Sequence, residues 1–473
     1  MENPPFNATS RRDFLKTTAQ AAAAVSVLAG TSLPHVHAQG SDQIRLALIG
    51  CGGRGGGATK NALSVRKGGA KLVAMADVFD RKLNIAHASL TRDAEVGDDI
   101  DVKDNKFLGF DAYKNAMDQL RKGDVAIFTT PLAFRWVNFQ YAIAKGLNVF
   151  MEKPLTADGP SSRRMLALAE ESKKKNLKVG VGLMSRHSRH MQQLHQRIQD
   201  GEIGDLLALR GYRMQGGSGA CVARQFDRRG RDLPELMYQI SRFHSFLWLS
   251  GGCFSDFYIH HVDHLCWMKN AWPVKAQGVG GRHYKTNADG REYVDQNFDN
   301  YVVEYTFADG AKMYMHGRGV PGAMPIYNSW AHGTKGIAVV SRANDCNGPS
   351  STYQGQNTTP DKRLWQSQID PEERDPYKNE WVALLDAIRN DKPHNEVQRG
   401  VEASIVCNMG RMATHTGQEI TFDEALNHDH NYAPNVEQLT PDGPSPLMPD
   451  GEGRYPKPQP GQLQNREYVE SVA

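Results

Sequence analysis

The stretch "LALIGCGGRGGGATKNAL", residues 46–63, decides how the N-terminal half of the chain folds. It places six glycines within eight positions, residues 50–57. Glycine loses more conformational freedom on folding than any other residue, so such a run needs a structural reason. The glycines either bring the backbone close to a ligand or form a flexible linker, and the flanking sequence decides between these two interpretations.

The flanking sequence has the order of a nucleotide-binding unit. Residues 45–49 form an apolar run with the length of a buried parallel strand, residues 58–65 suit a helix, and residues 71–77 predict a second strand. Between the first strand and the helix, residues 50–55 fit G-x-G-x-x-G, and the second strand ends in Asp77. Because this combination is typical of dinucleotide-binding domains, we interpret the glycines as a phosphate-binding turn.

Each residue of the turn has a physical task in such a unit. Gly50 makes the tight turn, Gly52 lets a pyrophosphate approach the backbone, and Gly55 lets the helix pack closely on the strand. The helix N-terminus supplies free N–H groups and the positive end of the helix dipole. Gly53 and Arg54 lie at this end, and we predict that both also contact the cofactor.

Asp77 sets the predicted choice between the two nicotinamide dinucleotides. A carboxylate at the end of the second strand accepts hydrogen bonds from the adenosine ribose and repels a 2′-phosphate, which favours NAD over NADP. Arg54 opposes this preference, because a guanidinium near the ribose would accommodate the extra phosphate. We predict NAD, with NADP as the less favoured alternative.

A further strand–helix–strand unit follows in the same order. Residues 124–131 predict a strand that ends in a turn, residues 134–144 a helix, and residues 147–154 another strand. Alternating strands and helices predict a doubly wound parallel sheet, in which ligands bind at the carboxyl ends of the strands. Four residues at such ends are predicted to contact the cofactor: Thr130, Pro131, Glu152 and Lys153.

Together these motifs resemble the glucose–fructose oxidoreductase/inositol dehydrogenase (Gfo/Idh/MocA) family. The resemblance rests on the glycine turn, the Thr130-Pro131 turn and above all "AKGLNVFMEKPLT", residues 144–156. It continues through "GGCFSDFYIHHVDHLCWM", residues 251–268, and covers about residues 43–425.

The resemblance implies an α/β fold with two domains. Residues 41–155 would form a Rossmann domain with a doubly wound parallel sheet. Residues 156–433 would form an α+β domain for substrate binding and dimerisation, with an open, mostly antiparallel sheet. The residues agree, because 300–317 alternate apolar and polar side chains around a hairpin signal, and helices are predicted near 379–388 and 401–413.

The resemblance also implies a catalytic set. The family's lysine falls on Lys153, and its D-x-x-x-H pair falls on Asp256 and His260, whose spacing puts both on one helix face. Oxidation of a carbinol carbon removes a hydride and the hydroxyl proton, and a histidine that titrates near neutrality suits the proton transfer. Lys153 is expected to polarise the hydroxyl, and Asp256 to orient the histidine or bind a neighbouring sugar hydroxyl.

Substrate contacts are predicted at positions where relatives contact their substrates and at one position where the sequence departs from theirs. Arg186 and His187 follow the strand "VGVGLM", where relatives place substrate contacts, although ordinary surface charges are an equal alternative. Tyr258 replaces a glycine that is common in relatives, and Arg135 lies near the place of a frequent histidine. An arginine- and aromatic-rich addition, residues 221–250, would bind a sugar or uronate or contact another subunit, and both interpretations stay open.

Metal and disulfide chemistry are not expected. The run "HHVDH", residues 260–264, contains metal-ligand types, but on a helix they fall into two pairs rather than one converging set. Asp263 is better explained as a structural hydrogen-bonding residue. The six cysteines lie far apart without a C-x-x-C pair, so we predict free thiols and no metal.

Composition excludes other classes of protein. The 473 residues carry a formal net charge of only +3 and no basic block, so nucleic acid is not an expected partner. No apolar stretch reaches the length of about 18 residues that a membrane span needs.

The two ends of the chain differ from the rest. Residues 1–40 contain the run S-R-R-D-F-L-K, a mildly apolar stretch and a cleavage context after Ala38, which resembles a twin-arginine (Tat) signal. We therefore expect export, for example to the periplasm. Residues 434–473 are polar and rich in proline, which predicts a surface-hugging or mobile tail.

Export constrains the expected reaction, since free NAD is scarce outside the cytoplasm. We expect an NAD-dependent oxidoreductase with tightly bound cofactor that acts on a hydroxyl of a sugar, glycoside or polyol. Alternatives are a redox-neutral glycosidase that works by oxidation, elimination and reduction, a two-carboxylate hydrolase, and a non-catalytic sugar-binding or regulatory protein on the same fold. Relatives often pair through the open sheet, which implies a homo-oligomer, either a dimer or a tetramer.

Overall fold

A computed structural model describes residues 43–66, 69–216, 219–222, 233–346 and 348–469. The predicted Tat segment therefore lies outside the described residues. Among the helices that are described, none is long and apolar enough to cross a membrane.

Two sheets organise the described chain. The strands are β1 (Ile44–Ile49), β2 (Ala70–Asp77), β3 (Lys106–Leu108), β4 (Val125–Phe128), β5 (Asn148–Met151), β6 (Val179–Val181), β7 (Leu206–Gln215), β8 (Lys275–Gly281), β9 (Asn300–Thr306), β10 (Lys312–Gly319), β11 (Ile326–Gly333), β12 (Gly336–Ser341), β13 (Ser351–Gln354), β14 (Arg363–Gln366) and β15 (Ile420–Thr421). The α-helices are α1 (Gly53–Ser64), α2 (Asp80–Thr91), α3 (Ala112–Met117), α4 (Arg135–Lys145), α5 (Gly159–Lys174), α6 (Arg189–Gln199), α7 (Glu235–Ser241), α8 (Leu247–Ser250), α9 (Gly252–Lys269), α10 (Pro376–Arg389), α11 (Val397–Thr416) and α12 (Phe422–Asn427).

The first sheet is parallel and has the order β3-β2-β1-β4-β5-β6. The strand order reverses between β1 and β4, which confirms the predicted doubly wound Rossmann arrangement and opens a crevice at the carboxyl ends of these strands. The strands β4 and β5 are buried along their whole length, as expected for a parallel sheet covered on both faces. The sheet extends past residue 155, because β6 pairs with β5.

The second sheet has nine strands in the order β14-β13-β12-β11-β7-β10-β9-β8-β15. Its pairs are antiparallel except that β10 and β7 run parallel, so the predicted mostly antiparallel sheet is confirmed. Helix α9 packs on β7 and β10, and α11 packs on β8 and β9. Helix α9 thereby carries residues 252–269 between this sheet and the first domain.

Later parts of the chain return to the first domain. Helix α10 packs on α1, and the Trp381 ring stacks on Phe150 of β5 with centroids 4.4 Å apart. In the described part of the C-terminal tail, which is mostly exposed, a few side chains are buried. Glu467 is buried there and forms an ion pair at 2.9 Å with Arg411 of α11. Because a buried charge pair needs fixed geometry, the tail is tied to the core at this point.

Candidate active site

A cavity of about 720 Å³ lies at the carboxyl ends of the first sheet's strands. It extends from the glycine turn to helix α9, so that the predicted cofactor and catalytic residues border one continuous space. Its lining includes Gly50, Gly52, Gly53, Arg54, Gly55, Asp77, Thr130, Pro131, Glu152, Lys153, Asp256 and His260.

The glycine turn has the sterics of a phosphate-binding cradle. Gly50 has a φ of +95°, and a Cβ there would lie 2.8 Å from the Thr129 carbonyl carbon. A Cβ at Gly55 would lie 2.2 Å from the Gly50 oxygen, so only glycine allows α1 to pack this close to β1. At Gly52, by contrast, nothing lies within 4 Å of the Cβ position. The open space at Gly52 is the space that a pyrophosphate would occupy.

The N-terminus of α1 supplies the matching electrostatics. The 12-residue helix starts at Gly53, and its N-cap residue Gly52 provides no side-chain hydrogen bond to the first turn. The first N–H groups of a helix lack intrahelical partners, and they carry the positive end of the helix dipole. These groups border the cavity and fit the phosphates of a dinucleotide.

Asp77 connects the end of β2 to the glycine turn. Its Oδ2 accepts a hydrogen bond from the Cys51 N–H at 2.6 Å, and its Oδ1 accepts one from the Phe79 N–H at 2.8 Å. A carboxylate oxygen has two acceptor positions, so each oxygen retains capacity for a ribose hydroxyl. The carboxylate is fixed in place and faces the cavity.

Arg54 is held on the opposite side of the turn from Asp77. Its Nε donates to Glu152 Oε1 at 2.5 Å, and its guanidinium lies over the Tyr377 ring, 4.6 Å from the centroid. Burial opposes the charge of Arg54, but Glu152 raises its pKa above the ordinary value. Arg54 is thus engaged by Glu152 beyond the end of β5, whereas Asp77 lies at the end of β2, and these two strands lie on opposite sides of β1.

The Thr130-Pro131 turn borders the cavity next to the Glu152 end of β5. The Thr130 carbonyl accepts a hydrogen bond from Arg135 Nη2 at 2.7 Å, and its hydroxyl accepts one from Asn138 at 3.3 Å. Arg135 itself lines the cavity and is almost completely buried. Burial lowers the pKa of its guanidinium to about 10, although Glu152 and Asp256 act in the opposite direction.

Lys153 and Asp256 form the centre of the predicted catalytic set. Lys153 Nζ donates to the Asp256 carbonyl at 2.5 Å and to its carboxylate Oδ1 at 3.2 Å. The other carboxylate oxygen accepts a hydrogen bond from His244 Nδ1 at 2.6 Å. Burial disfavours the charged carboxylate, but Lys153 and His244 outweigh it and hold the pKa of Asp256 well below its ordinary value. Asp256 is therefore ionised, and its carboxylate accepts hydrogen bonds from both Lys153 and His244.

His260 lines the cavity one helical turn after Asp256. Within the described chain, Asp256 makes no hydrogen bond to His260, and His260 Nδ1 is buried without a partner. Burial lowers the pKa of His260 to about 4, an effect that Asp345 opposes and that Lys153 and Arg213 reinforce. The imidazole is therefore neutral at neutral pH, and the expected orientation of His260 by Asp256 is not what the structure contains.

Arg213 and Asp345 complete the far wall of the cavity. Arg213 of β7 donates through Nη1 to Asp345 Oδ1 at 3.0 Å, and its guanidinium lies 4.1 Å from the Tyr327 ring centroid. Burial raises the pKa of Asp345, but His260, His261 and Arg213 outweigh it, and the pKa is lowered overall. The two residues are 132 positions apart and belong to no motif, so the sequence offered no signal for them.

Three predicted substrate contacts lie away from the cavity lining. Arg186 forms an ion pair at 2.9 Å with buried Asp263, and His187 Nε2 lies 3.3 Å from Glu396. The Tyr258 ring packs against Gly317, where an added Cβ would be 2.0 Å from the ring. These contacts hold elements of the core together, so Arg186, His187 and Tyr258 have structural partners, and their contact with substrate stays a prediction.

The "HHVDH" run is explained by separate structural contacts. Asp263 accepts hydrogen bonds from Arg186 and from Arg399, as its predicted structural role requires. His264 Nε2 lies 2.9 Å from the Ser329 hydroxyl on β11. Among the described residues, no group of three histidines, cysteines or acids could hold a metal ion, and the six cysteines are buried and form no disulfide bond.

Two segments that the sequence left without a role cover the cavity. The described part of the addition, residues 233–250, brings Phe243, His244 and Leu249 to the lining, whereas residues 223–232 lie outside the described chain. Residues 436–440 of the tail line the same space. Side chains of both segments belong to one apolar cluster, which also includes residues that follow the Thr130-Pro131 turn. Within this cluster the Phe134 and Trp248 rings have centroids 6.2 Å apart.

Comparison with known proteins gives a local sequence match and an extensive structural one. No protein-family model matches the chain. A stretch of 88 residues is 34% identical to inositol 2-dehydrogenase of Corynebacterium glutamicum and covers 19% of this chain. The same stretch spans only 26% of that relative's length, so the relative's activity does not transfer by sequence alone.

Solved structures share the fold over most of the chain. The myo-inositol 2-dehydrogenase of Lactobacillus plantarum is 21% identical, with a TM-score of 0.56 over 80% of this chain and 99% of its own. The scyllo-inositol dehydrogenase of Lactobacillus casei with NAD(H) and scyllo-inositol is 19% identical, with a TM-score of 0.57 over 80% and 99%. An aldose-aldose oxidoreductase of Caulobacter crescentus is 15% identical, with a TM-score of 0.59 over 80% and 99%. These neighbours are oxidoreductases, several of them inositol dehydrogenases, and at these identities they establish the two-domain fold.

Proposed function

We propose that this protein is an NAD-dependent oxidoreductase that acts on a hydroxyl group of a sugar, glycoside or related polyol. The observation that carries the proposal is the single cavity that joins the glycine turn and Asp77 at one end to Lys153, Asp256 and His260 at the other. Its volume of about 720 Å³ is within the range of cofactor and ligand sites. The fold neighbours named above include sugar and inositol oxidoreductases, which supports the same reaction class.

The cradle residues would hold the nucleotide. The open Gly52 position and the N-terminus of α1 receive the pyrophosphate, and Asp77 receives the adenosine ribose hydroxyls. The negative charge of Asp77 favours NAD over NADP, and Arg54 is committed to Glu152. When bound, the nicotinamide ring supplies a two-electron acceptor for a hydride from the substrate carbon.

Lys153 and His260 bind the reacting hydroxyl in this proposal. The Lys153 ammonium is partly buried beside the Asp256 carboxylate, and a hydrogen bond from it would polarise the substrate oxygen. The neutral imidazole of His260 presents its ring to the same part of the cavity. Removal of the hydroxyl proton by a positioned base contributes about 10²–10⁴-fold to the rate.

We also propose that the nucleotide is held tightly and that the enzyme works outside the cytoplasm. The Tat-like sequence of residues 1–40 supports export, and an exported enzyme needs a cofactor that does not diffuse away. Residues 233–250 and 436–440 cover the crevice from two distant parts of the chain. This cover supports retention of the nucleotide. A homo-oligomer is proposed through the open sheet, where Val279 and Val302 are exposed.

The nucleotide content of the purified protein tests this proposal. The mature protein is purified without added cofactor and denatured, and the released nucleotide is identified by mass spectrometry. We expect NAD or NADH in nearly equimolar amount. NADP or NADPH would contradict the role of Asp77, and the absence of nucleotide would contradict tight binding.

A pair of variants gives this test a matched control. Gly52→Val places a side chain in space that the protein leaves open, so it should fold and yet block the pyrophosphate position. Gly451→Val also enters open space, but in the tail. We expect only Gly52→Val to be purified without nucleotide.

A further inference from the structure

His244 is a cavity residue that belongs to the added segment rather than to the D-x-x-x-H motif. It lies in a single helical turn, Phe243–Ser245, and its side chain is 42% exposed. The backbone is fixed, because its carbonyl accepts a hydrogen bond from Asn297 Nδ2 at 2.8 Å. The ring stacks on Phe257 with centroids 5.3 Å apart, so its orientation is fixed as well.

The hydrogen bond to Asp256 determines which nitrogen of His244 is available. An ionised carboxylate only accepts hydrogen bonds, so the Nδ1 atom that lies 2.6 Å from Asp256 Oδ2 must carry a proton. In the neutral ring, Nε2 is then the unprotonated nitrogen. Among the described residues it has no hydrogen-bond partner, and the His244 side chain is 42% exposed. A carboxylate that orients an imidazole whose second nitrogen is free is the arrangement of a general base.

We propose that His244 is a further catalytic residue, which accepts the proton of the substrate hydroxyl on Nε2 while Asp256 orients its ring. This inference rests on the proposed function and names the base of that reaction. The substrate O–H bond breaks and its proton moves to Nε2. The C–H bond breaks and its electron pair leaves with the hydrogen as a hydride to the oxidised nicotinamide nucleotide, so that the carbon–oxygen bond becomes a carbonyl.

The environments of the two histidines explain the assignment. The His244 side chain is 42% exposed and its Nδ1 lies 2.6 Å from the Asp256 carboxylate, whereas His260 is buried and its Nδ1 has no partner among the described residues. A general base needs an unprotonated nitrogen that the substrate can reach and a partner that orients its ring. His260 therefore acts as a neutral hydrogen-bonding partner of the substrate oxygen, and His244 carries the proton.

The first test compares His244→Gln with the control His283→Gln. His283 is an exposed histidine outside the added segment. With a panel of polyols and aldoses, we expect kcat of His244→Gln to fall about 10²–10⁴-fold, with nucleotide content unchanged, and kcat of His283→Gln to stay within about twofold. Added imidazole should restore part of the activity of His244→Ala, which a merely structural role would not allow. Unchanged kcat in His244→Gln, together with loss in His260→Gln, would overturn the assignment.

The second test does not depend on activity. In ¹⁵N NMR spectra of the purified protein, the imidazole signal that is missing from His244→Gln should belong to the Nδ1–H tautomer, and Asp256→Asn should remove that preference. An Nε2–H tautomer in the unsubstituted protein would overturn the proposal. If no substrate in the panel reduces the nucleotide, the proposed function is contradicted. The tautomer measurement separately tests whether Asp256 orients His244 with a proton on Nδ1.

Discussion

Asp256 accepts a hydrogen bond from His244 at 2.6 Å, and not from His260, which lies four residues further along the same helix. The same carboxylate binds Lys153 through its other oxygen at 3.2 Å. One aspartate thus connects the lysine at the end of β5 with a histidine from the added segment. In the proposed reaction this connection would fix the positions of an ammonium donor and an imidazole acceptor together.

Replacement of Lys153 tests the substrate-polarising role. In Lys153→Met the ammonium is lost while most of the unbranched side chain is kept, and we expect kcat/KM to fall about 10²–10⁴-fold. The variant should still bind the nucleotide through the unaltered glycine turn and Asp77, and the NAD dissociation constant measures the loss of the predicted contact from Lys153. Lys174→Met, on the exposed face of α5, serves as the control and should keep full activity. Full activity in Lys153→Met would contradict the role of the ammonium.

Removal of the charge at Asp77 should change the cofactor preference. Asp77→Asn removes the repulsion of a 2′-phosphate, and the ratio of the NADP and NAD dissociation constants should shift towards NADP by about tenfold or more. Calorimetric titration of nucleotide-free protein measures both constants. Asp104→Asn removes an exposed charge elsewhere and should leave the ratio unchanged. An unchanged ratio in Asp77→Asn would mean that another residue reads the ribose.

The tail segment 436–440 should control nucleotide dissociation. Leu439 belongs to the apolar cluster and lines the cavity, and Leu439→Ala removes part of this cover. We expect the nucleotide to dissociate about tenfold faster, as loss of an apolar contact of roughly 1.4 kcal/mol would allow. Fluorescence of bound NADH during dilution measures the rate. Leu364→Ala, at an exposed position on β14, should not change it. Equal rates in both variants would show that the tail does not retain the nucleotide.

Glu467 should contribute stability that depends on pH. Although burial opposes the charge, Arg411 and His415 hold the pKa of Glu467 below its ordinary value. A carboxyl whose folded-state pKa is depressed stabilises the fold above its unfolded-state pKa, near 4.3, and this contribution is lost as the pH falls below that value. Urea unfolding from pH 7 down to pH 3 should follow this trend.

The matched variants for Glu467 are isosteric. Glu467→Gln leaves the Arg411 guanidinium buried without its counter-ion, and we expect it to lower the free energy of unfolding by about 3–5 kcal/mol at pH 7. Glu452→Gln removes a carboxylate from a surface ion pair with Arg454 and should cost about 1 kcal/mol or less. Equal effects of the two changes would mean that the tail is not anchored through Glu467.

The parts of the fold that depend on local sequence could be predicted. The glycine turn, the strands on either side of it and Asp77 follow one another within residues 44–77, and each limits the conformation of the next. The position of Lys153 could be predicted in the same way, because it lies two residues after the end of the short strand β5. The order of the sheet and the cavity at its carboxyl edge then result from general rules of parallel α/β folds.

The remaining parts of the site depend on contacts between distant segments. The spacing of Asp256 and His260 correctly indicates one helix face, but it does not reveal that His244 from a neighbouring segment reaches the carboxylate first. Likewise, the sequence does not reveal that Arg186 forms an ion pair with buried Asp263. The polar composition of the tail hides a glutamate that pairs with a buried arginine 56 positions earlier.

Transfer of deuterium from substrate to nucleotide tests the central claim most directly. The protein with its nucleotide oxidised is mixed with inositols and aldoses that carry deuterium on their carbinol carbons, and the nucleotide is analysed by mass spectrometry after a single turnover. We predict reduced NAD that carries one deuterium with at least one of these substrates, and that it forms about 10²–10⁴-fold more slowly in Lys153→Met. Bound NAD that stays oxidised, or that is reduced without deuterium, would contradict the assignment of this cavity to hydride transfer.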